Sequence, residues 1–118
     1  MKIYDPLGVV APTVVLFKAL FQETWSAVKG WDDELPSNLS ALWSTYINEL
    51  PLLSKLRIPR YIAAPYQSIE LQGFADASNV AVAAVVYSRI QIGDAYLTRL
   101  IASKTRTAPL KSLSIPRL

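Results

Sequence analysis

The sequence has no cysteine and no histidine. The first absence excludes disulfides and thiol chemistry. The second removes the commonest general base, so neither a Ser/His/Asp triad nor a Cys/His zinc site can be assembled from this chain. Carboxylate and lysine chemistry stay open. Charge is also scarce, at 18% of 118 residues against about 25% in soluble domains, which points to surface meant to lie against other parts of a larger protein. No apolar run is long enough to cross a bilayer: the longest, Val80 to Tyr87, has eight residues, where about 18 are needed. An Asp-Pro-Leu-Gly turn stands where a secretory signal would place its apolar stretch, so an intracellular, cytoplasmic setting without membrane contact is expected. Acidic residues are missing from one end only. Residues 95–118 carry five basic groups and no acidic one, whereas residues 1–94 carry seven basic and nine acidic. Arg99, Lys104, Arg106, Lys111 and Arg117 therefore form either a strip for nucleic-acid phosphates or an ordinary solvated strand and loop.

What the chain does have is apolar material, 52% of its residues, including three Trp, six Tyr and three Phe. Its first third reads as helix. Pro12 suits a first helical turn, where its missing N–H is not needed, and Gly30 suits a left-handed C-cap. Between them Val14, Phe17, Phe21, Trp25 and Val28 recur at steps of three and four and make one apolar stripe. Trp31-Asp-Asp-Glu-Leu-Pro is a loop leading to a second helix, opened near Pro36 and closed by Pro51. Its stripe is Leu39, Leu42, Trp43, Tyr46, Ile47 and Leu50, so the two helices are expected to pack as a hairpin with the Trp residues in the core or at the helix junction. Pro59 and Pro65 mark an extended connector.

From Ile69 the period changes to short β-prone runs, Ile69 to Asp76, Val80 to Arg89 and Ala95 to Lys104. The breaks at Ser78-Asn79 and Ile92-Gly93-Asp94 are short enough for consecutive antiparallel hairpins. The expected fold is α+β: an N-terminal helical hairpin followed by a three-stranded antiparallel sheet. The tail from Thr105 reads as a loop containing Pro109 and Pro116.

Asp76 is the most informative position. In Gly73-Phe74-Ala75-Asp76-Ala77-Ser78 a carboxylate ends an apolar strand at what reads as a buried edge. It either caps the turn into the next strand through backbone N–H groups or ligates a hard cation such as Mg²⁺ in a carboxylate cluster.

Four separated motifs carry a family resemblance. They are Ile3-Tyr4-Asp5-Pro6-Leu7-Gly8 with Ala11-Pro12; Leu50-Pro51-Leu52-Leu53 before Ile58-Pro59-Arg60; Phe74-Ala75-Asp76-Ala77-Ser78 with Leu100 to Arg106; and Ala108-Pro109-Leu110-Lys111 with Ile115-Pro116-Arg117-Leu118. In this order the chain resembles BEL/Pao retrotransposon polyproteins. The resemblance implies a reverse-transcriptase thumb-like or connecting segment at 1–65. It also implies the incomplete start of an RNase H-like domain at 66–118, cytoplasmic or within the element's virus-like particle. Asp76 would be the first catalytic carboxylate and a metal ligand. Lys104, Arg106 and Lys111 would contact an RNA–DNA hybrid, and the rest of the polyprotein would be the protein partner. In the complete domain, Mg²⁺, with Mn²⁺ as substitute, would serve hydrolysis of the RNA strand by four carboxylates, of which this chain supplies one; the fragment alone is expected to be inactive. Two alternatives stand beside this reading. One is an aspartic peptidase of the Pao family using Asp76-Ala77-Ser78, although no Gly follows Ser78. The other is a non-catalytic nucleic-acid-binding connector.

Overall fold

The structure is a computed structural model that describes residues 3–62 and 68–110. Two α-helices, α1 (Ala11–Ala27) and α2 (Ser37–Glu49), lead through a 3₁₀ helix (Leu50–Lys55) to three strands, β1 (Ser68–Ala77), β2 (Ala81–Ile92) and β3 (Ala95–Thr107). The strands form one antiparallel sheet in the order β1-β2-β3. The α+β arrangement expected from the change of period is the one observed.

Helix α1 begins with Pro12 in its first turn and has no side-chain cap on its N-cap residue, Val10. Asp5 instead fixes the turn that leads into the helix, from five residues upstream of Val10. Its Oδ1 accepts the Val9 N–H at 2.8 Å and its Oδ2 accepts the Val10 N–H at 2.9 Å, while the Gly8 N–H closes the turn onto the Asp5 carbonyl at 3.2 Å. Removing the carboxylate strands two backbone donors. Asp5→Ala should therefore cost about 1–2 kcal/mol, read as a lower urea midpoint, and an unchanged midpoint would show that water replaces these bonds freely.

Helix α1 ends earlier than Gly30 suggested. Val28 is the C-cap in extended backbone, and Gly30 is not left-handed; its N–H instead donates to Asp33 Oδ2 at 2.8 Å. Pro51 ends the α-helical hydrogen bonding but not the helical path, because a proline fits the first turn of the following 3₁₀ helix. The helices touch through a small aromatic cluster: the Phe17 and Trp43 rings stand edge to face at 4.8 Å, and the Tyr46 ring lies 5.6 Å from Phe17. Tyr46 donates its hydroxyl to the Thr13 carbonyl. Burial pushes the Tyr46 phenol above its ordinary range, which keeps it protonated as that donor. Leu39 of the second stripe is buried, but Phe21, Leu42 and Ile47 are exposed. Trp25 is 64% exposed and Trp31 95%, so Trp25 is not in the core, and Trp31 stands exposed in the loop that joins the helices.

The N-terminal loop is fastened to the outer edge of β3. The Ser103 N–H donates to the Leu7 carbonyl at 2.8 Å, and the Ser103 hydroxyl donates to the Gly8 carbonyl at 2.6 Å. Past β3, the Ala108 N–H donates to the Val80 carbonyl at 2.7 Å, and Gln22 of α1 reaches the Ala108 carbonyl at 3.3 Å. The helices thus sit at the end of the sheet that holds the β1–β2 turn.

Apolar burial is thin. Ala11, Leu39, Ile90 and Ala108 are the buried hydrophobic residues, whereas Leu71 and Phe74 of β1 are exposed. The radius of gyration, 18.4 Å, exceeds the roughly 13–14 Å of a compact domain of this length. Strand β1 pairs on one side only among the described residues. Its outer N–H and C=O groups therefore form an open template for another strand.

Candidate functional site

Cross-strand register assigns each side chain to a face, since successive residues of a strand alternate. Asp76 pairs with Ala83, which pairs with Thr105. Phe74, Val85 and Ser103 form the next row on the same face. Farther along it, Phe74 meets Tyr87 edge to face at 6.2 Å, and Arg89 binds Glu70 at 3.3 Å while lying 3.7 Å from the Tyr96 ring centre. Both acidic residues of the strands, Glu70 and Asp76, stand on this face.

A bulge decides what stands on the other. Val86 pairs with Ala102 but Tyr87 pairs with Leu100, leaving Ile101 without a partner. One extra residue reverses the alternation of everything after it. Lys104 and Arg106 therefore lie opposite Ala84 and Val82, on the face that Asp76 does not share, whereas an unbroken β3 would have put them on the Asp76 face. Both are exposed. Lys104 and Arg106 line a shallow concavity on their own face, floored by Ala75, Ala77, Val82 and Ala84; Asp76 borders it as a strand residue, but by register its side chain belongs to the other face. Lys111 lies outside the described residues, as do Pro65 and Ile115-Pro116-Arg117-Leu118.

Asp76 is exposed, not at a buried edge, because β1 has no neighbour beyond it among the described residues. Its Oδ1 accepts the N–H of its own neighbour, Ala77, at 2.8 Å. It does not build the turn. That role falls to Ser78, whose hydroxyl accepts the N–H groups of Val80 at 3.2 Å and Ala81 at 3.1 Å. Asp76 thus does not cap the turn, and one of its carboxylate oxygens is uncommitted among the described residues.

On the Asp76 face lies a cavity of about 340 Å³ between the sheet, through Phe74, Tyr87 and Leu100, and the N-terminal segment, through Gly8 and Val9 of the loop and Pro12 of α1. Its lining is mainly apolar. The role of this loop was missed in the sequence, where Tyr-Asp-Pro-Leu-Gly read only as a turn; the signal was the Gly at its end. No second carboxylate lines either concavity that Asp76 lines, and no group of three or more Asp or Glu is placed to hold a metal ion among the described residues. This donor set does not fit Mg²⁺. Each ion demands near-octahedral oxygen coordination, and a two-ion site needs several carboxylates around the pair. The peptidase reading also lacks its geometry, because Asp76 and Ala77 are strand residues and not part of a glycine-containing turn. Among the described residues no helix is long and apolar enough to cross a membrane.

No curated protein and no solved structure matches the chain. A family model described as Pao retrotransposon-like RNaseH-like domain matches residues 1–118, and the chain belongs to that family.

Proposed function

We propose that this chain is the segment of a Pao retrotransposon polyprotein that joins reverse transcriptase to RNase H and that contacts RNA–DNA hybrid without cutting it. The supporting observation is the concavity on the sheet face opposite the Asp76 side chain, where the exposed cations Lys104 and Arg106 stand beside a floor of small side chains. A floor of alanine and valine lets a backbone approach closely. Two cations set two residues apart on one strand present charges roughly 7 Å apart, which suits successive phosphates, and Lys111 is assigned to the same role. In the complete domain Mg²⁺, or Mn²⁺ in its place, would serve hydrolysis of the RNA strand. The contribution of this chain to that chemistry is one carboxylate and a share of the grip on the substrate. On this reading the setting is the cytoplasm or the element's virus-like particle.

The test is binding of labelled RNA–DNA hybrid as a function of salt. Replacing both Lys104 and Arg106 by alanine should flatten the slope of log affinity against log salt by about 2, since each phosphate contact contributes about 0.9. Absence of binding at low salt, or an unchanged slope in the double variant, would refute the assignment.

A further inference from the structure

The described residues carry a second, opposite patch. Residues 30–54 hold Asp32, Asp33, Glu34 and Glu49 and no basic residue. Three of these acids follow Trp31, which with Trp25, Phe21 and Leu35 lines a concavity of about 470 Å³ whose single cation is Lys29. The apolar side of that concavity is open, with Trp25, Trp31 and Phe21 all exposed. On the sheet, the Lys104 face is the mirror in charge: by register it carries Arg99, Lys104 and Arg106 and no acid, beside the exposed Ile69, Leu71 and Ile92. Asp32, Glu34, Lys104 and Arg106 are exposed, and none has an ion-pair partner among the described residues, where Arg89–Glu70 is the one pair.

The two patches cannot satisfy each other within one chain. The first turn of α1 lies beside β3, the Ala11 carbonyl accepting from Thr105, and the acidic loop follows the other end of this 17-residue helix, about 25 Å away. That is about three Debye lengths at physiological salt, so attraction across it is screened.

We infer that the acidic aromatic loop of one copy docks on the basic sheet face of a second copy of this chain. The molecule measures 60 × 35 × 19 Å, and two such elongated bodies laid antiparallel can form both contacts at once, giving a closed dimer and not an open filament. This pairing is driven by charge and apolar surface, and it differs from strand addition at the β1 edge, which would be held by backbone hydrogen bonds indifferent to salt.

Sedimentation velocity on the whole chain, without nucleic acid, tests it. The wild type should dimerise with rising concentration in about 50 mM NaCl and dissociate in about 500 mM. One variant carries Asp32→Lys with Glu34→Lys, the other Lys104→Glu with Arg106→Glu. Each alone should associate at least roughly tenfold more weakly, and an equimolar mixture should recover the dimer, because the reversed loop then faces the reversed face and the unreversed patches still match. Circular dichroism checks that both variants fold. If either does not, Asp32→Asn with Glu34→Gln should give a smaller weakening of the same sign. A wild-type monomer at every concentration, association indifferent to salt and to reversal, or a mixture that stays monomeric would each overturn the inference.

Discussion

Gly8→Ala is expected to detach the N-terminal loop from β3 and to lower stability by more than about 3 kcal/mol. Two effects add at this residue. Gly8 has φ of +70°, where a side chain costs roughly 1–2 kcal/mol. A Cβ there would also lie 1.9 Å from the Ser103 carbonyl oxygen. That obstacle is backbone and cannot rotate away, so the hydrogen bonds from Ser103 to Leu7 and Gly8 must break. Gly93 supplies the control. It has φ of +60° with nothing within 4 Å of the added Cβ, so Gly93→Ala should show the conformational cost alone. Urea unfolding of the two variants separates strain from collision, and equal losses would mean that close approach at Gly8 contributes nothing. Hydrogen exchange at the Ser103 amide should accelerate only in Gly8→Ala.

The second large effect is an expected absence. The purified chain should show no cleavage of RNA–DNA hybrid in Mg²⁺ or Mn²⁺, because a lone carboxylate cannot fix two ions around a phosphate. Asp76→Asn should then change neither cleavage nor, beyond a few tenths of a kcal/mol, stability, since the carboxylate is exposed and its one hydrogen bond, to the Ala77 N–H, can be made by an amide oxygen. Cleavage abolished by Asp76→Asn would overturn this account of the site. Cleavage that survives the substitution would point to a contaminating nuclease.

The elements were legible because their signals are local. The stripe at Leu39, Trp43 and Tyr46 marks α2, the alternation from Ile69 marks β1, and Ser78-Asn79 and Gly93-Asp94 mark the hairpins. Which apolar residues are buried was not legible. A stripe says that a helix has an apolar face, not that a neighbour covers it, and Trp25 is exposed although its spacing is that of a core residue. At the site, Asp76 was found from the contrast between a carboxylate and its apolar strand. Its relation to Lys104 and Arg106 was hidden in the unpaired Ile101, because nothing in Leu-Ile-Ala-Ser-Lys reveals an extra residue until β3 is laid against β2. The fit of Gly8 to the Ser103 carbonyl likewise exists only in the folded chain.

The fastening of Ser103 to Gly8 spans 95 residues. Closing a loop of that size costs about 4 kcal/mol of chain entropy before any contact compensates, whereas the two hairpins close over a few residues each. The loop therefore joins a sheet that already exists, and losing the contact should raise the unfolding rate while leaving the folding rate nearly unchanged. During synthesis the asymmetry is larger still. At about 5–20 residues per second, Gly8 leaves the ribosome about 5–20 seconds before its partner strand, and through that interval the loop before α1 has only its local hydrogen bonds, to Asp5 and within the turn.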